Sequence, residues 1–189
     1  MSISRRQKVS TPSTQLRASS ALLVGIVALL LAGTFATLRT EIRGGAKAFI
    51  EADNVTADVR HTSPELGSPL PPTGYDGEFV YRLAGGPFSK SHTDDGITLD
   101  KPAYRQQRIL LPTLAYGLNA ASPLSRAQSI LAINILAVGL AGLGGALIAV
   151  RLGRNRWWGL FLAAQPAVAF GVGLDPLFVA GDWPSGAKT

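Results

Sequence analysis

Three long apolar blocks separate the polar parts of this chain. They cover residues 18–38, 127–150 and 157–174, and none of them contains Asp, Glu, Lys or Arg. A helix of about 20 residues crosses the hydrocarbon core of a bilayer. Each block therefore predicts a transmembrane helix. The third is the shortest and contains Pro166, which membrane helices tolerate where neighbouring groups satisfy the freed backbone carbonyl.

The charges between the blocks predict an orientation. Residues 1–17 contain four Lys or Arg and no acid, and residues 151–156 contain three and no acid, whereas residues 39–126 contain ten of each sign. An excess of Lys and Arg marks the cytoplasmic side of a membrane. We therefore predict a cytoplasmic N-terminal tail, an extracytoplasmic loop over residues 39–126, a cytoplasmic loop over 151–156 and an extracytoplasmic tail over 175–189.

A signal peptide is the alternative interpretation of the first block, since Ser4-Arg5-Arg6 is similar to the start of a twin-arginine signal. The 21 apolar residues exceed the apolar region of a signal peptide, which has about 7–15. No clear small-x-small cleavage site precedes Leu38. An uncleaved transmembrane helix is therefore favoured.

Composition agrees with a membrane protein. Charged residues make up 16% of the chain, against about 25% in soluble domains, and there is no cysteine. These values exclude an ordinary cytosolic enzyme, a disulfide-stapled scaffold and a disordered tail. The net charge of +6 raises the possibility of nucleic acid binding, but the arginines cluster beside the apolar blocks, so the predicted partner is the lipid bilayer and not nucleic acid.

Small residues recur every four positions in the last two blocks. Such faces let helix backbones approach closely in lipid, so an antiparallel hairpin is predicted, although Ala and Gly are also simply common in membrane helices. The two stripes are Ala137, Ala141, Gly145 and Ala149, and Gly159, Ala163, Ala167 and Gly171.

The loop holds two clusters of polar and aromatic residues. Residues 63–74 contain four prolines and predict an extended, polyproline-like segment. The next residues, 75–84, have apolar positions at helical spacing and predict a short amphipathic helix on the outer membrane surface. Asp76 would cap this helix, and Glu78 would pair with Arg82.

The second cluster follows at residues 100–112. Tyr104, Arg105 and Arg108 share one face at helical spacing, and the planar arginine fork grips phosphate oxygens in pairs. His61 and His92 are the only histidines, and no metal-site spacing occurs. No cofactor is predicted, although Glu78 leaves a role for a divalent cation open.

Three motifs resemble one family. YDGEFVYRLA (75–84), PAYRQQRILLPTLAYGLN (102–119) and RWWGLFLAAQPAVAF (156–170) are similar to bacterial multi-pass membrane glycosyltransferases of the GT-C class, in the branch associated with cell-surface glycopolymers. The resemblance covers about residues 70–175. It implies transfer of a sugar from a polyprenyl-phosphate donor to a glycan acceptor at the outer face of the bacterial inner membrane, as part of cell envelope biogenesis.

The resemblance also implies roles for individual residues. An Asp in the first outer loop is the usual catalytic base of this class, and Asp76 matches it. Glu78 replaces a Gln that is frequent in the family. The residues that would contact the phosphate or the sugar are Tyr75, Glu78, Arg82, Tyr104, Arg105 and Arg108.

The length departs from the family, whose members have many more membrane helices. The sequence therefore resembles only the N-terminal part of such an enzyme, and truncation leaves open whether it is active. The alternative is a small non-enzymatic membrane subunit, which would bind a partner through its outer loop and its small-residue helix faces.

Overall fold

The computed structural model describes residues 14–67, Leu70 and residues 76–164. Within them the chain is mostly helical, with one short β-hairpin. The elements in chain order are α1 (Thr14–Arg43), 3₁₀ turns at Ala46–Phe49 and Pro64–Leu66, α2 (Gly77–Gly85), β1 (Thr93–Asp94), β2 (Ile97–Thr98), α3 (Pro102–Gln106), α4 (Leu110–Ala121), α5 (Arg126–Arg151) and α6 (Trp158–Ala163).

Two of the described helices are long and apolar enough to cross a membrane. They are Ser19–Arg43, within α1, and α5. Only 28% of the most apolar window of each is buried inside the protein. A core helix of a soluble protein would be mostly covered, whereas large apolar residues such as Leu31 and Leu140 remain exposed here. Of the third predicted span, α6 forms the start, and residues 165–174 lie outside the described part.

Helices α1 and α5 pack antiparallel through small residues. A Cβ added to Gly25 would lie 2.9 Å from the Cβ of Leu143, and one added to Gly139 would lie 2.9 Å from the Cβ of Leu29. Side chains this small let the two backbones approach closely. Because the helices run in opposite directions, the end of α1 and the start of α5 lie at the same end of the pair.

The predicted hairpin of α5 and α6 is present in the described residues. A Cβ at Gly159 would lie 2.6 Å from the backbone nitrogen of Ala146, and Gly145 faces Leu162. The prediction of the α5 stripe is partly wrong. Ala137, which was included, is exposed, whereas Gly142, which was not included, is buried. Of the α6 stripe, Ala167 and Gly171 lie outside the described residues.

Between α1 and α5, the described residues (44–67, Leu70 and 76–125) form one unit, called here the loop domain. Its apolar core rests on the first turns of α5. The buried core residues are Ile50, Ala52, Ala57, Leu66, Leu70, Phe79, Tyr81, Leu83, Ala84, Ile97, Leu99 and Ala115, together with Ala127 and Ile130 of α5.

Helix α2 lies inside this core, so its predicted position on the membrane surface is wrong. Its apolar face is buried as expected, but Glu78 and Arg82 are buried too, at 2% and 1% exposure. The Glu78 carboxylate accepts hydrogen bonds from the loop domain. The Arg82 guanidinium is satisfied only in part, since it donates from Nη2 while its buried Nε and Nη1 have no hydrogen-bond partner among the described residues.

Residues 93–98 form a short antiparallel hairpin. Thr93 pairs with Thr98 and Asp94 with Ile97. Asp95 and Gly96 join the strands with φ values of 50° and 74°, the left-handed geometry of a type I′ turn. Ile97 is fully buried and anchors the hairpin in the core. Of the proline-rich segment, Pro64–Leu66 forms a 3₁₀ turn rather than an extended chain.

Candidate functional site

Asp76 lies directly before α2 and contacts Arg105 of α3. Its Oδ2 is 2.7 Å from Nη1 of Arg105, and its side chain is 48% exposed. It makes no side-chain capping hydrogen bond to α2, because its backbone is already helical and its carboxylate is turned toward the arginine. The predicted capping role is therefore wrong, while the two sequence clusters do meet at this ion pair.

Arg105 is held by a second carboxylate and a ring. Its Nε donates to Oδ1 of Asp100 at 2.9 Å, and its Nη2 donates to Oδ2 of Asp100 at 3.1 Å. The guanidinium lies 4.0 Å from the centre of the Phe79 ring. The hydrogen bonds from Arg105 lower the pKa of Asp100, and the two carboxylates raise the pKa of Arg105. Asp100 and Arg105 therefore both stay charged at physiological pH.

Arg108 is the accessible cation of the site. Its Nη2 donates to the hydroxyl of Tyr104 at 3.1 Å, and its guanidinium lies 5.5 Å from the centre of the Tyr104 ring. The predicted common face of these two residues is thus present. Arg108 is exposed, and no carboxylate of the described residues forms an ion pair with it. It can therefore meet an incoming anion without losing an acidic partner.

Glu78 is turned away from the Asp76 and Arg105 pair into the core. Its Oε2 accepts from the backbone N–H of Asp53 at 3.0 Å, and its Oε1 accepts from the hydroxyl of Thr56. Burial raises the pKa of Glu78, and these hydrogen bonds oppose that rise. The carboxylate links α2 to residues 53–56. Within the described residues, no three His, Asp or Glu side chains converge as metal ligands would.

Arg82 is also internal and does not pair with Glu78, so the predicted pair is wrong. It donates to the carbonyl of Ser91 and lies near the charges of Asp94 and Asp95. Burial lowers its pKa. Since the side chain is 1% exposed, Arg82 is not open to a phosphate at the surface of the loop domain.

The comparisons with known proteins found no relative. No protein-family model, no curated protein and no solved structure matches this chain. The residues of the site and the resemblance of the motifs are therefore what indicate a function.

Tyr75 lies outside the described residues, so its predicted contact with substrate has no geometry here. Sequence reasoning missed Asp100, although its place before Lys101-Pro102 at the start of a helix was a usable signal. It also missed Glu65, which accepts from Tyr81, Ser125 and the Ala127 N–H. Two of these partners are about 60 residues away in sequence, so no local pattern marks that contact.

Proposed function

We propose that the chain is the N-terminal part of a GT-C-type glycosyltransferase, and that Asp76 is its general base. The observation that carries this proposal is an exposed carboxylate that contacts Arg105 at the edge of a folded loop domain. The resemblance of the YDGEFVYRLA and PAYRQQRILLPTLAYGLN motifs supports it, because these are the two segments that meet at the ion pair.

The reaction is a displacement at the anomeric carbon of a polyprenyl-phosphate sugar. The acceptor hydroxyl of a cell-surface glycan attacks this carbon while Asp76 removes its proton. The bond from carbon to the phosphate oxygen breaks, and the polyprenyl phosphate leaves with the electron pair. Attack opposite the leaving group inverts the anomeric configuration.

Arg108 and Tyr104 are the residues we assign to the phosphate. A cation beside the leaving oxygen stabilises the charge that develops as the bond breaks. The exposed, unpaired guanidinium of Arg108 suits this task better than Arg105, which two carboxylates neutralise, or Arg82, which is buried. Glu78 and Arg82 then support the loop domain from inside, and Tyr75 is assigned to substrate on the resemblance alone.

This chemistry needs the loop domain on the outer face of a bacterial inner membrane, with the N-terminus in the cytoplasm. We infer this orientation from the Lys and Arg excess in residues 1–17 and 151–156. Residues 157–174 form the third span in this proposal. The lipid-linked donor would lie in the outer leaflet, and further membrane helices would complete its binding cavity.

The test is sugar transfer by membranes that contain the chain together with its adjoining helices, where the gene encodes them. With radiolabelled polyprenyl-phosphate sugars as donors, Asp76→Asn should lower incorporation into glycan by about 100-fold or more, because a general base contributes that much. Asp58→Asn is the matched control, since Asp58 is similarly exposed and its side chain hydrogen-bonds the neighbouring Arg60 N–H and His61. Equal activity of the Asp76 and Asp58 variants would refute the assignment of the base.

A non-enzymatic membrane subunit is the second candidate, and one surface favours it. The exposed side of α1 carries a groove of about 310 Å³, and a Cβ at Gly33 would meet nothing within 4 Å. A small residue with open space beside it suits a partner helix in lipid. Under this alternative, Gly33→Leu would impair function and Asp76→Asn would be neutral. The groove is lined by Leu29, Leu30, Gly33, Thr34, Thr37 and Leu38.

A further inference from the structure

Arg105 binds two carboxylates unequally. Asp100 engages it side-on through two hydrogen bonds of 2.9 and 3.1 Å, whereas Asp76 engages it through one contact of 2.7 Å. Paired bonds to a guanidinium fix its orientation as well as its position. Arg105 is therefore anchored mainly to Asp100, which precedes α3, and touches Asp76 only with its remaining Nη1.

Asp100 is itself held in place, and Asp76 is not. The Oδ1 of Asp100 also accepts from the backbone N–H of Lys101 at 2.7 Å, at the start of α3. Among the described residues, Arg105 is the single side-chain partner of Asp76. The Phe79 ring, 4.0 Å away, restrains the plane of the guanidinium from the other side. The Asp76 contact is thus the part of this cluster that can be exchanged.

We propose that Asp100 is a positioning residue, which holds Arg105 in the site while Nη1 exchanges Asp76 for a phosphate group. The inference rests on the proposed function. In the unliganded arrangement, one oxygen of Asp76 is occupied by Arg105. When the donor phosphate attracts Nη1, that oxygen is released to accept the proton of the acceptor hydroxyl. Binding of the donor would in this way prepare the base, and sugar transfer without a bound donor would be suppressed.

Chemical modification of arginine tests, independently of catalysis, whether Asp100 binds Arg105 more strongly than Asp76 does. Phenylglyoxal reacts with guanidinium groups that are accessible and not held as cations by carboxylates, and peptide mapping reports each arginine of the purified chain. We expect Asp100→Asn to accelerate the modification of Arg105 by about tenfold and Asp76→Asn by less than about threefold, because two charge-assisted bonds are lost in the first and one in the second. Equal acceleration, or a larger effect of Asp76→Asn, would overturn the proposal.

Arg82 serves as the folding control in the same peptide map. It is buried in the loop domain and should stay unmodified in both variants. If Arg82 becomes reactive in Asp100→Asn, that variant has unfolded. Asp100→Glu then tests whether a carboxylate at position 100 protects Arg105. The Glu variant retains a carboxylate, so Arg105 should stay protected to within about threefold of the original chain, and loss of protection would overturn the proposal.

Kinetics separate this inference from the proposed function. A positioning role predicts that Asp100→Asn lowers kcat by about tenfold while KM for the polyprenyl-phosphate sugar changes less than about twofold, because Arg108 provides most of the phosphate binding and the Arg105 contact mainly releases the base. An increase in KM alone would contradict it. Absence of transfer by the unmodified protein would refute the proposed function, whereas the modification rates would still decide how Arg105 is held.

Discussion

Asp76 and Glu78 lie two residues apart and have opposite surroundings. Asp76 is half-exposed at the edge of the loop domain and faces a cation. Glu78 is 2% exposed and accepts from an N–H and a hydroxyl, with Arg105 contributing only at longer range. The first arrangement leaves a carboxylate accessible from solvent. The second makes ionisation costly, because a buried charge loses its hydration.

The raised pKa of Glu78 predicts how the stability of the loop domain changes with pH. The folded state binds the proton of Glu78 more tightly than the unfolded chain, whose pKa is near the model-compound value of 4.5. This contribution to stability is therefore fully present below pH 4.5 and is lost as the pH rises through the folded pKa. Glu78→Gln should remove the loss, since glutamine stays neutral and retains an acceptor for the Asp53 N–H.

Denaturant unfolding of the detergent-solubilised chain between pH 4 and pH 8 measures the effect. The Glu78→Gln variant should lose less stability across this range than the original chain. Glu41→Gln is the control, because it makes the same substitution at an exposed position. A steeper loss of stability in Glu78→Gln would show that burial does not control this carboxylate.

At the scale of elements, the start of α5 joins the loop domain to the long helices. Ser125 caps α5 with a reciprocal pair of hydrogen bonds to Gln128. Glu65 adds a carboxylate at the same end, which the helix dipole favours. It accepts from the Ala127 N–H at 3.1 Å and from the hydroxyl of Tyr81 at 2.8 Å. Burial raises the pKa of Tyr81 to about 12, so its phenol remains a donor at physiological pH.

Removing the Glu65 carboxylate should loosen the loop domain from α5. Glu65→Ala leaves the buried hydroxyl of Tyr81 and a helix N–H without their acceptor, which should cost about 2–4 kcal/mol of unfolding free energy. Glu41→Ala, a substitution at an exposed position, should cost less than about 0.5 kcal/mol. Hydrogen exchange should show faster exchange at residues 77–85 in the Glu65 variant. Equal stability of the two variants would contradict this account of the α5 start.

The elements divide into those that sequence could predict and those that it could not. Helices α1 and α5 were predictable because each contains a long run of uncharged, apolar residues. Helix α2 was predictable because its apolar residues recur at helical spacing. The surroundings of α2 were not predictable, since Glu78 bonds to Thr56 and Arg82 to Ser91 through contacts that depend on the folded loop. The same holds for the site, where the Asp76 and Arg105 contact joins residues 29 positions apart in the sequence.

Considered as a whole molecule, the chain separates its polar chemistry from its apolar surface. The described loop domain lies at one end of the α1 and α5 pair, and the arginine-rich connection of residues 151–156 lies at the other. The apolar sides of the two long helices remain largely uncovered between these ends. Lipid is the solvent that matches such a surface, since the backbone groups of both helices are satisfied internally.

The orientation of the molecule in the membrane is therefore open to a direct test, and the absence of cysteine makes it simple. Phe88→Cys introduces a thiol at an exposed site of the loop domain without changing a charge, and Asn155→Cys introduces one in the arginine-rich connection. In a bacterial host, a membrane-impermeant maleimide should label Phe88→Cys in intact cells and Asn155→Cys only after permeabilisation, because an excess of Lys and Arg favours the cytoplasmic side for the basic connection. The opposite pattern would put Asp76 on the cytoplasmic side, away from an outer-leaflet donor, and would refute the proposed sugar transfer even with the Arg105 cluster intact.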